Sequence, residues 1–490
     1  MNAFDSYELV VGLEVHAQLL TASKLFCGDS SSFGAAPNTH ISPITMAHPG
    51  TLPMLNKEAV RAAIKMGLAC HCAITELNYF ARKNYFYPDL PKGYQISQHT
   101  TPICVGGYVA IKSGEGNINV ELNRIHIEED AGKSSHDIDP DYTCVDLNRA
   151  GVALIEMVTE PCIHSADDAY AYLTEVRKIV RYLGVCDGNM EEGSMRCDAN
   201  ISIRKKGDSK LGTKVEVKNL NSIRNVKRAI EYEFKRLVNL VEAGEPIIQQ
   251  TRSFDANNGT TFALRTKEEA NDYRYFPDPD LTPFVVTDTL LEEIKSQMPE
   301  LPEAKVMRYV SEMGLPEYDA RVLADDKAFS EYFESIIREL EGGSSDQLQL
   351  RYKQASNWMM GPIKSYLNDA GIEASQVSIS PKAIAGVIVL IEQGLLNFSS
   401  ASSKLFQGLL EAPHTEPLEL AKQLQLIQDS NEDSIEQWVE SVLNAMPDKV
   451  AEFKKGKKGL IGLFVGEVKK LSKGKADPKV TNDILLKKLQ

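Results

Sequence analysis

The stretch Val10–Leu19, VVGLEVHAQL, alternates apolar and polar residues with a period of two. A β-strand turns successive side chains to opposite faces. Val11, Leu13, Val15, Ala17 and Leu19 therefore share one face, and Glu14, His16 and Gln18 share the other. RCDANISIR (Arg196–Arg204) repeats the pattern, with Cys197, Ala199, Ile201 and Ile203 against Arg196, Asp198, Asn200, Ser202 and Arg204. KVEVK (Lys214–Lys218) sets Val215 and Val217 against Lys214, Glu216 and Lys218. A fourth segment changes phase. Ile118, Val120 and Leu122 alternate in one register and Ile125 and Ile127 in the other, which predicts a bulge near Arg124. Beyond it Glu129 shares the phase of Ile125 and Ile127 while Glu128 lies on the alternate face; the pattern leaves open which of the two points inward.

A half-exposed antiparallel sheet produces such alternation without any function. An ordinary wet face, however, favours mixtures of Lys, Glu and Thr. These strands carry Glu, His, Asp, Asn and Arg in short runs close to glycine. Glu and His with further carboxylates are credible ligands for a hard divalent ion, and Arg196, Arg204 and Lys218 could hold phosphate oxygens beside it. The pattern thus admits a phosphoryl-transfer site on a sheet face, with a structural salt-bridge face as the alternative. A P-loop is excluded. Gly132-Lys133-Ser134 has Ile127 where the first glycine belongs, and acids fill most of the gap. RKNYFYPDLPKGYQISQ (Arg82–Gln98) interleaves Arg82, Lys83 and Lys92 with Tyr85, Phe86, Tyr87 and Tyr94, a mixture that can hold phosphates and stack bases, or plug a core as a Pro-kinked loop. NDYRYFPDPDL (Asn271–Leu281) has the same two readings.

At 490 residues the chain is too long for one core. Residues 1 to about 290 read as mixed α and β. Helices are predicted over Ser165–Leu183 and Asn221–Ala243 from apolar spacing and caps, and a hairpin turn at DANNGTT (Asp255–Thr261). Beyond that point helical signals dominate: a connector over 291–345, with EGGSSDQ (Glu341–Gln347) as a flexible joint, then helical bundles over 346–490 with a break near 410. The fold class is α+β. No apolar run approaches a membrane span, and the acidic N-terminus lacks a secretory signal, so a cytoplasmic protein is expected. All eight cysteines precede residue 198 without a paired framework, as for reduced thiols. The net charge of −14 argues against general nucleic-acid affinity. Yet Asp448–Gln490 holds twelve lysines against five acids, which suits a local polyanion contact or a solvated helix face.

The segments GLEVHAQL, RKNYFYPDLPKGYQIS, EEDAGKS, DLNRAGVALIEMVTEP, MEEGSMRCDANISIR, VEVKNLNSIRNV and DYRYFPDPDL stand in the order found in one family. From about Tyr7 to the C-terminus the sequence resembles the B subunits of the bacterial glutamyl-tRNA(Gln)/aspartyl-tRNA(Asn) amidotransferases, and its end resembles small YqeY-type helical proteins. The resemblance implies a cradle-shaped α/β domain on an antiparallel sheet, followed by all-α domains. It implies that ATP and Mg²⁺ are used to phosphorylate the side-chain carboxylate of Glu on tRNA(Gln) or Asp on tRNA(Asn). Ammonia from an amidase-type A subunit then displaces the phosphate, and a small C subunit holds the other two together. In those terms Glu14, His16, Glu129 and Glu216 are expected metal ligands, with Glu128 and Asp198 as companions. Glu128, Asp198 and Lys218 are the expected catalytic groups, and Arg82, Lys83, Lys92, Arg196 and Arg204 the expected contacts to ATP phosphates or the tRNA terminus. The basic tail becomes a tRNA contact. One departure stands out: many relatives carry a four-cysteine zinc knuckle, but here FCGDS and HISPIT keep only Cys27, with Asp29, Ser42 and Thr45 in the other places. One thiolate cannot close a structural zinc site, so no zinc is expected.

Two rivals remain. A non-catalytic tRNA-binding scaffold explains the tail and the aromatics but not Glu14, His16, Asp198 and Glu216 on polar strand faces. A self-contained glutamine amidotransferase needs a nucleophile. SSASSK (Ser399–Lys404) lacks the Gly-rich surroundings of a Ser-Lys site and reads as a loop or helix start, and CHC (Cys70–Cys72) reads as a helix end.

Overall fold

The computed structural model describes residues 3–114, 116–266, 273–428, 432–472 and 475–489. Asn271 and Asp272 of NDYRYFPDPDL, and Lys473 and Gln490 of the basic tail, lie outside the described residues. The chain divides into two compact units, Met1–Leu301 and Pro302–Gln490.

The alternating segments form the middle of one large sheet. In spatial order the main run of its strands is Thr260–Thr266, Gln250–Asp255, Val215–Leu220, Met195–Lys205, Tyr7–Gln18, Ala153–Thr159, Gly116–Glu129, Tyr94–Ser97, Ala81–Asn84 and Phe276–Pro277, with Ala73–Ile74, Cys104–Val105 and Tyr108–Ser113 attached beside Gly116–Glu129. Neighbours are antiparallel except Val215–Leu220 and Gln250–Asp255, which are parallel and joined by the helix Ile223–Glu242. A parallel pair needs such a crossover. Val11, Leu13, Val15 and Ala17 are fully buried, and they share one core with Ala199, Ile201, Val215 and Val217 and with the helices Lys57–Ala69, Ala166–Leu183 and Ile223–Glu242. The apolar face is thus covered by helices, and the opposite face is left to polar side chains.

The helix limits follow their caps. Ser165 Oγ accepts from the Asp168 N–H at 2.9 Å, and Gly184 closes the helix at φ 65°. Ser222 Oγ accepts from the Asn225 N–H at 3.1 Å. Each such N-cap contributes about 1 kcal/mol. The hairpin at 255–260 is held by Asp255, which accepts from the N–H groups of Asn257 and Asn258 at 2.9 and 3.3 Å. The phase change near Arg124 is a bulge: Arg124 pairs with Val158 and Leu122 with Thr159, so Asn123 is the extra residue.

Tyr172 is fully buried in this core, and its hydroxyl has no hydrogen-bond partner among the described residues. A buried unsatisfied hydroxyl costs about 1–3 kcal/mol. Tyr172→Phe is therefore expected to leave the N-terminal unit as stable or up to about 1 kcal/mol more stable, read as the midpoint of its chemical denaturation; a loss of stability would reveal a partner for the hydroxyl.

In the second unit all elements among the described residues are helical. The helix Asp288–Ser296 belongs to the first unit, because Ile294 is buried in the sheet-side core. Residues 306–340 are no separate connector: Tyr309, Phe333 and Ile336 share a core with Trp358, Ile388 and Leu409. Nor does the chain break near 410, since Phe406, Leu420 and Ala421 complete that same core, and a second core begins at Ile435. The expected joint at 341–347 starts a helix: Ser344 Oγ accepts from the Gln347 N–H at 3.4 Å and Gln347 Oε1 from the Ser344 N–H at 3.1 Å, a capping box. Ser399–Lys404 lies within helical turns. No described helix is long and apolar enough to cross a membrane.

Candidate functional site

Strand register sets the site. Glu14 stands opposite Asp198, and His16 stands between Arg196 on one side and Glu156 on the other. Glu216 stands opposite Asn200, and Glu156 opposite His126. The polar face therefore carries two groups of donor atoms, each within 4.8 Å: His16, Glu128 and Glu156, and Glu14, Asp198 and Glu216. Glu14 and His16 are two residues apart on one strand face, so the groups are neighbours along it.

In the first group His16 Nε2 lies 3.4 Å from Glu156 and 3.8 Å from Glu128. His126 Nε2 approaches the same two carboxylates at 3.4 and 3.5 Å. Burial alone would push the His16 imidazole down. The hydrogen bond to Glu156 and the charges of Glu156, Glu128 and Asp198 outweigh it and raise His16 to about 9. Burial also opposes ionisation of Glu156, but His126, His16 and Lys83 hold its carboxyl well below the usual range. Lys83 is raised, because Glu128, Tyr275 and Glu156 together overcome its desolvation.

In the second group Glu14 accepts from Asn200 Nδ2 at 2.8 Å. Burial and the charges of Glu156 and Asp198 outweigh that bond and raise its carboxyl. Lys218 Nζ bridges Asp198 at 2.5 Å and Glu216 at 3.1 Å, and these two acids hold it well above its ordinary value against the cost of burial. The bridge depends on a second bulge. Cys197 pairs with Leu220 and Ala199 with Val217, so Lys218 and Asn219 together oppose Asp198, and Asn219 takes φ 64°. Asparagine tolerates that left-handed region better than most residues. Thr251 Oγ1 donates to Glu216 at 2.9 Å from the next strand.

Of the residues singled out from the sequence, Glu14, His16, Asp198, Glu216, Glu128, Lys83, Arg196 and Lys218 meet on this face. Arg196 donates to Asp130 at 3.0 Å, which also accepts from Gln18 at 2.7 Å. Glu129 goes elsewhere. Its odd phase turns it away from Glu128, and it takes Lys92 Nζ at 2.5 Å and the Ile96 N–H at 2.9 Å. Lys92 is engaged by that pair. Arg82 is held by Asp278 at 3.0 Å and Asp280 at 2.8 Å, and Arg204 by Glu8 at 2.5 Å. These three cations, like Arg196 with Asp130, are paired with the protein's own acids; Arg196 differs in standing directly opposite His16. Sequence reasoning missed Glu156 and His126. Glu156 is a lone acid inside the apolar run ALIEMVT (Ala153–Thr159), and that isolation is the one signal that could have found it. In the cysteine-poor loop, Thr45 Oγ1 donates to Asp29 at 2.5 Å and lies 3.5 Å from Cys27 Sγ, so hydrogen bonds join these positions.

Comparison with known proteins matches residues 9–292 to the family described as the GatB/GatE catalytic domain and residues 331–489 to the GatB domain. Three similar relatives carry the name of the aspartyl/glutamyl-tRNA(Asn/Gln) amidotransferase B subunit. Those of Thermodesulfovibrio yellowstonii and Pelodictyon phaeoclathratiforme are each 47% identical over 484 residues, and that of Chlorobium luteolum is 46% identical over 484; every alignment covers 99% of both chains. With both domains matched and the identity running end to end, the chain belongs to the family of aspartyl/glutamyl-tRNA(Asn/Gln) amidotransferase B subunits.

Proposed function

We propose that this chain activates the side-chain carboxylate of Glu on tRNA(Gln), or Asp on tRNA(Asn), by ATP-dependent phosphorylation and then lets ammonia replace the phosphate. The observation that carries this reading is the pair of donor groups on one sheet face, His16/Glu128/Glu156 and Glu14/Asp198/Glu216. Five carboxylates and one imidazole suit Mg²⁺, which prefers oxygen ligands and keeps water and phosphate in its remaining positions. Bound there, Mg²⁺ would neutralise phosphate charge during transfer. The ligand role expected for Glu129 passes in this reading to Glu128 and Glu156.

The chain's own groups would divide the work. Lys83, Arg196 and Lys218 border the acids and would draw the transferring phosphoryl group's oxygens onto the face. The substrate carboxylate oxygen attacks the γ-phosphorus, and the bond from that phosphorus to the ADP oxygen breaks. Ammonia then attacks the acyl carbon, loses a proton, and phosphate leaves. Phosphate is a far better leaving group than an oxide from a free carboxylate. Ammonia would come from an amidase-type A subunit, with a small C subunit holding the assembly, and the lysine-rich end would contact tRNA in the cytoplasm.

The test is the complex supplied with Glu-tRNA(Gln), ATP, Mg²⁺ and ammonium in place of glutamine. Gln-tRNA formation with equimolar ATP cleavage, lost when Mg²⁺ is omitted, is expected; product without ATP cleavage would refute the reading. A pH dependence follows as well. His16 keeps its proton up to about 9, so an incoming cation must displace it. Mg²⁺ affinity should therefore tighten by up to about tenfold per pH unit from neutrality towards the His16 value and then level off. Calorimetry in buffers of different ionisation enthalpy should read about one proton released at about pH 7.5. An affinity flat between about pH 7 and 9 would remove His16 from the ligand set.

A further inference from the structure

Lys83 is boxed by aromatic rings. Its Nζ lies 5.0 Å from the Tyr273 ring centroid and 5.8 Å from that of Tyr85. Tyr273 meets Tyr85 and Tyr275 edge-on, with centroids 6.1 and 6.0 Å away. Tyr275 in turn lies flat on His99 at 3.9 Å. One wall of the box, Tyr273, comes with its neighbour Tyr275 from a strap at the edge of the sheet.

The strap is anchored beyond these rings. Phe276 pairs with Arg82 and Pro277 with Ala81, and the Asp278 N–H donates to Phe80 O at 2.9 Å. Continuing that register would place Arg274 opposite Asn84. There the ladder is deformed instead. Arg274 takes φ 45°, in the left-handed region that non-glycine residues rarely adopt. Asn84 grips the deformation with three bonds: its N–H donates to Tyr273 O at 3.0 Å, and its Nδ2 donates to Tyr273 O at 3.1 Å and Arg274 O at 2.9 Å. A strained residue persists only where its surroundings over-determine it, and these bonds do so here. Lys83 and Asn84 are consecutive, so the residue that fixes the strap is tied by the main chain to the cation that the strap encloses.

We propose that Asn84 is a positioning residue: by clamping the kinked main chain at Tyr273–Arg274, it holds the tyrosine box that fixes the Lys83 ammonium beside Glu128 and Glu156. The functional half of this rests on the phosphoryl-transfer reading above. A cation aimed in advance serves the transition state more than substrate binding, so loss of the clamp should act on kcat.

The experiment labels lysines of the full chain in its complex with an amine-acylating reagent and reads each site by mass spectrometry. Asn84→Leu is near-isosteric and lacks the side-chain donors; Asn84→Ala serves as a second variant. Either should raise labelling of Lys83 about tenfold without changing that of Lys218, as local opening replaces a fixed box. Adding Arg274→Gly should bring labelling back to within about threefold of wild type, because glycine adopts positive φ without the steric penalty and no longer needs the clamp. ATP cleavage should follow, with kcat falling about tenfold and KM for aminoacyl-tRNA nearly constant, and with Arg274→Gly restoring it. Unchanged Lys83 labelling, or no recovery with Arg274→Gly, overturns the clamp. Labelling that moves while kcat does not overturns its role in positioning. Labelling that moves in a complex whose wild type cleaves no ATP overturns the phosphoryl-transfer reading and leaves the clamp standing.

Discussion

Glu156→Ala should reduce ATP cleavage by about 10²–10³-fold with little change in KM for aminoacyl-tRNA, the signature of a group used in the transition state rather than in substrate binding. The reason is how much converges on this carboxylate. His16 and His126 each approach Glu156 at 3.4 Å, and its charge also acts on Glu14 and Lys83. Removing it takes one donor from the His16 group and lowers the attraction that holds the His16 proton. The Mg²⁺ requirement should rise about tenfold or more. Glu156→Gln keeps the shape but not the charge and should fall in the same direction. Glu129→Gln is the informative comparison. Glu129 accepts from Lys92 and from the Ile96 N–H, away from both donor groups. Its replacement should weaken folding around that pair while leaving the Mg²⁺ requirement near wild type. A larger Mg²⁺ shift for Glu129→Gln than for Glu156→Gln would return the ligand role to Glu129 and refute the assignment.

That comparison marks where sequence reasoning reached its limit. Period-two alternation identifies which residues of a strand share a face, so Glu14 with His16 and Asp198 with Asn200 are legible in Val10–Leu19 and Arg196–Arg204. Alternation does not say which strand lies beside which, or in what register. Glu156 joins His16 only because Ala153–Thr159 pairs with the first strand, a contact between residues 140 apart in the chain. Bulges compound the difficulty. The phase change at Arg124 was visible because apolar residues flank it, whereas the Asn219 bulge, which sets Lys218 over Asp198, lies in a segment too short to show one. Glu128 faces His16 while Glu129, on the opposite phase, pairs with Lys92, and alternation alone does not say which of those two faces carries the donor groups. The partners of the cations were hidden for a related reason. Arg82, Lys92 and Arg204 stand among motif residues, but their charges are met by acids distant in sequence or on a neighbouring strand. Helix limits in the first unit were legible because capping is local; the extent of the second unit's cores was not, because helical periodicity does not name the partner helix.

Glu233→Ala should destabilise the N-terminal unit by about 3–5 kcal/mol, the cost of breaking a buried ion pair from one side. Glu233 is fully buried. It takes Arg236 through both oxygens at 3.0 and 2.7 Å, Arg252 Nε at 3.2 Å, and the Thr261 hydroxyl. Arg252 also donates to Thr261 Oγ1 at 2.7 Å and Thr261 O at 2.8 Å. Burial and the nearby Arg236 charge already lower Arg252, so the guanidinium is tolerated only because Glu233 faces it. Alanine would leave two guanidinium groups close together with no carboxylate between them. The position makes the loss more than local. Glu233 lies on the crossover helix, and Arg252 and Thr261 lie on the two strands of the edge hairpin. The same hairpin supplies Thr251, which holds Glu216 of the second donor group. Hydrogen exchange should therefore accelerate first over Gln250–Thr266 in Glu233→Ala, with the Mg²⁺ requirement rising as Glu216 loses its restraint. Replacing the charges together, Glu233→Leu with Arg252→Met and Arg236→Leu, removes the unpaired ions and should recover most of the stability, since buried pairs exchange for apolar groups at little net cost. If Glu233→Ala alone is neutral, the buried acid is not the fastening of the hairpin, and the hairpin's hold on Glu216 must rest on its main-chain ladder.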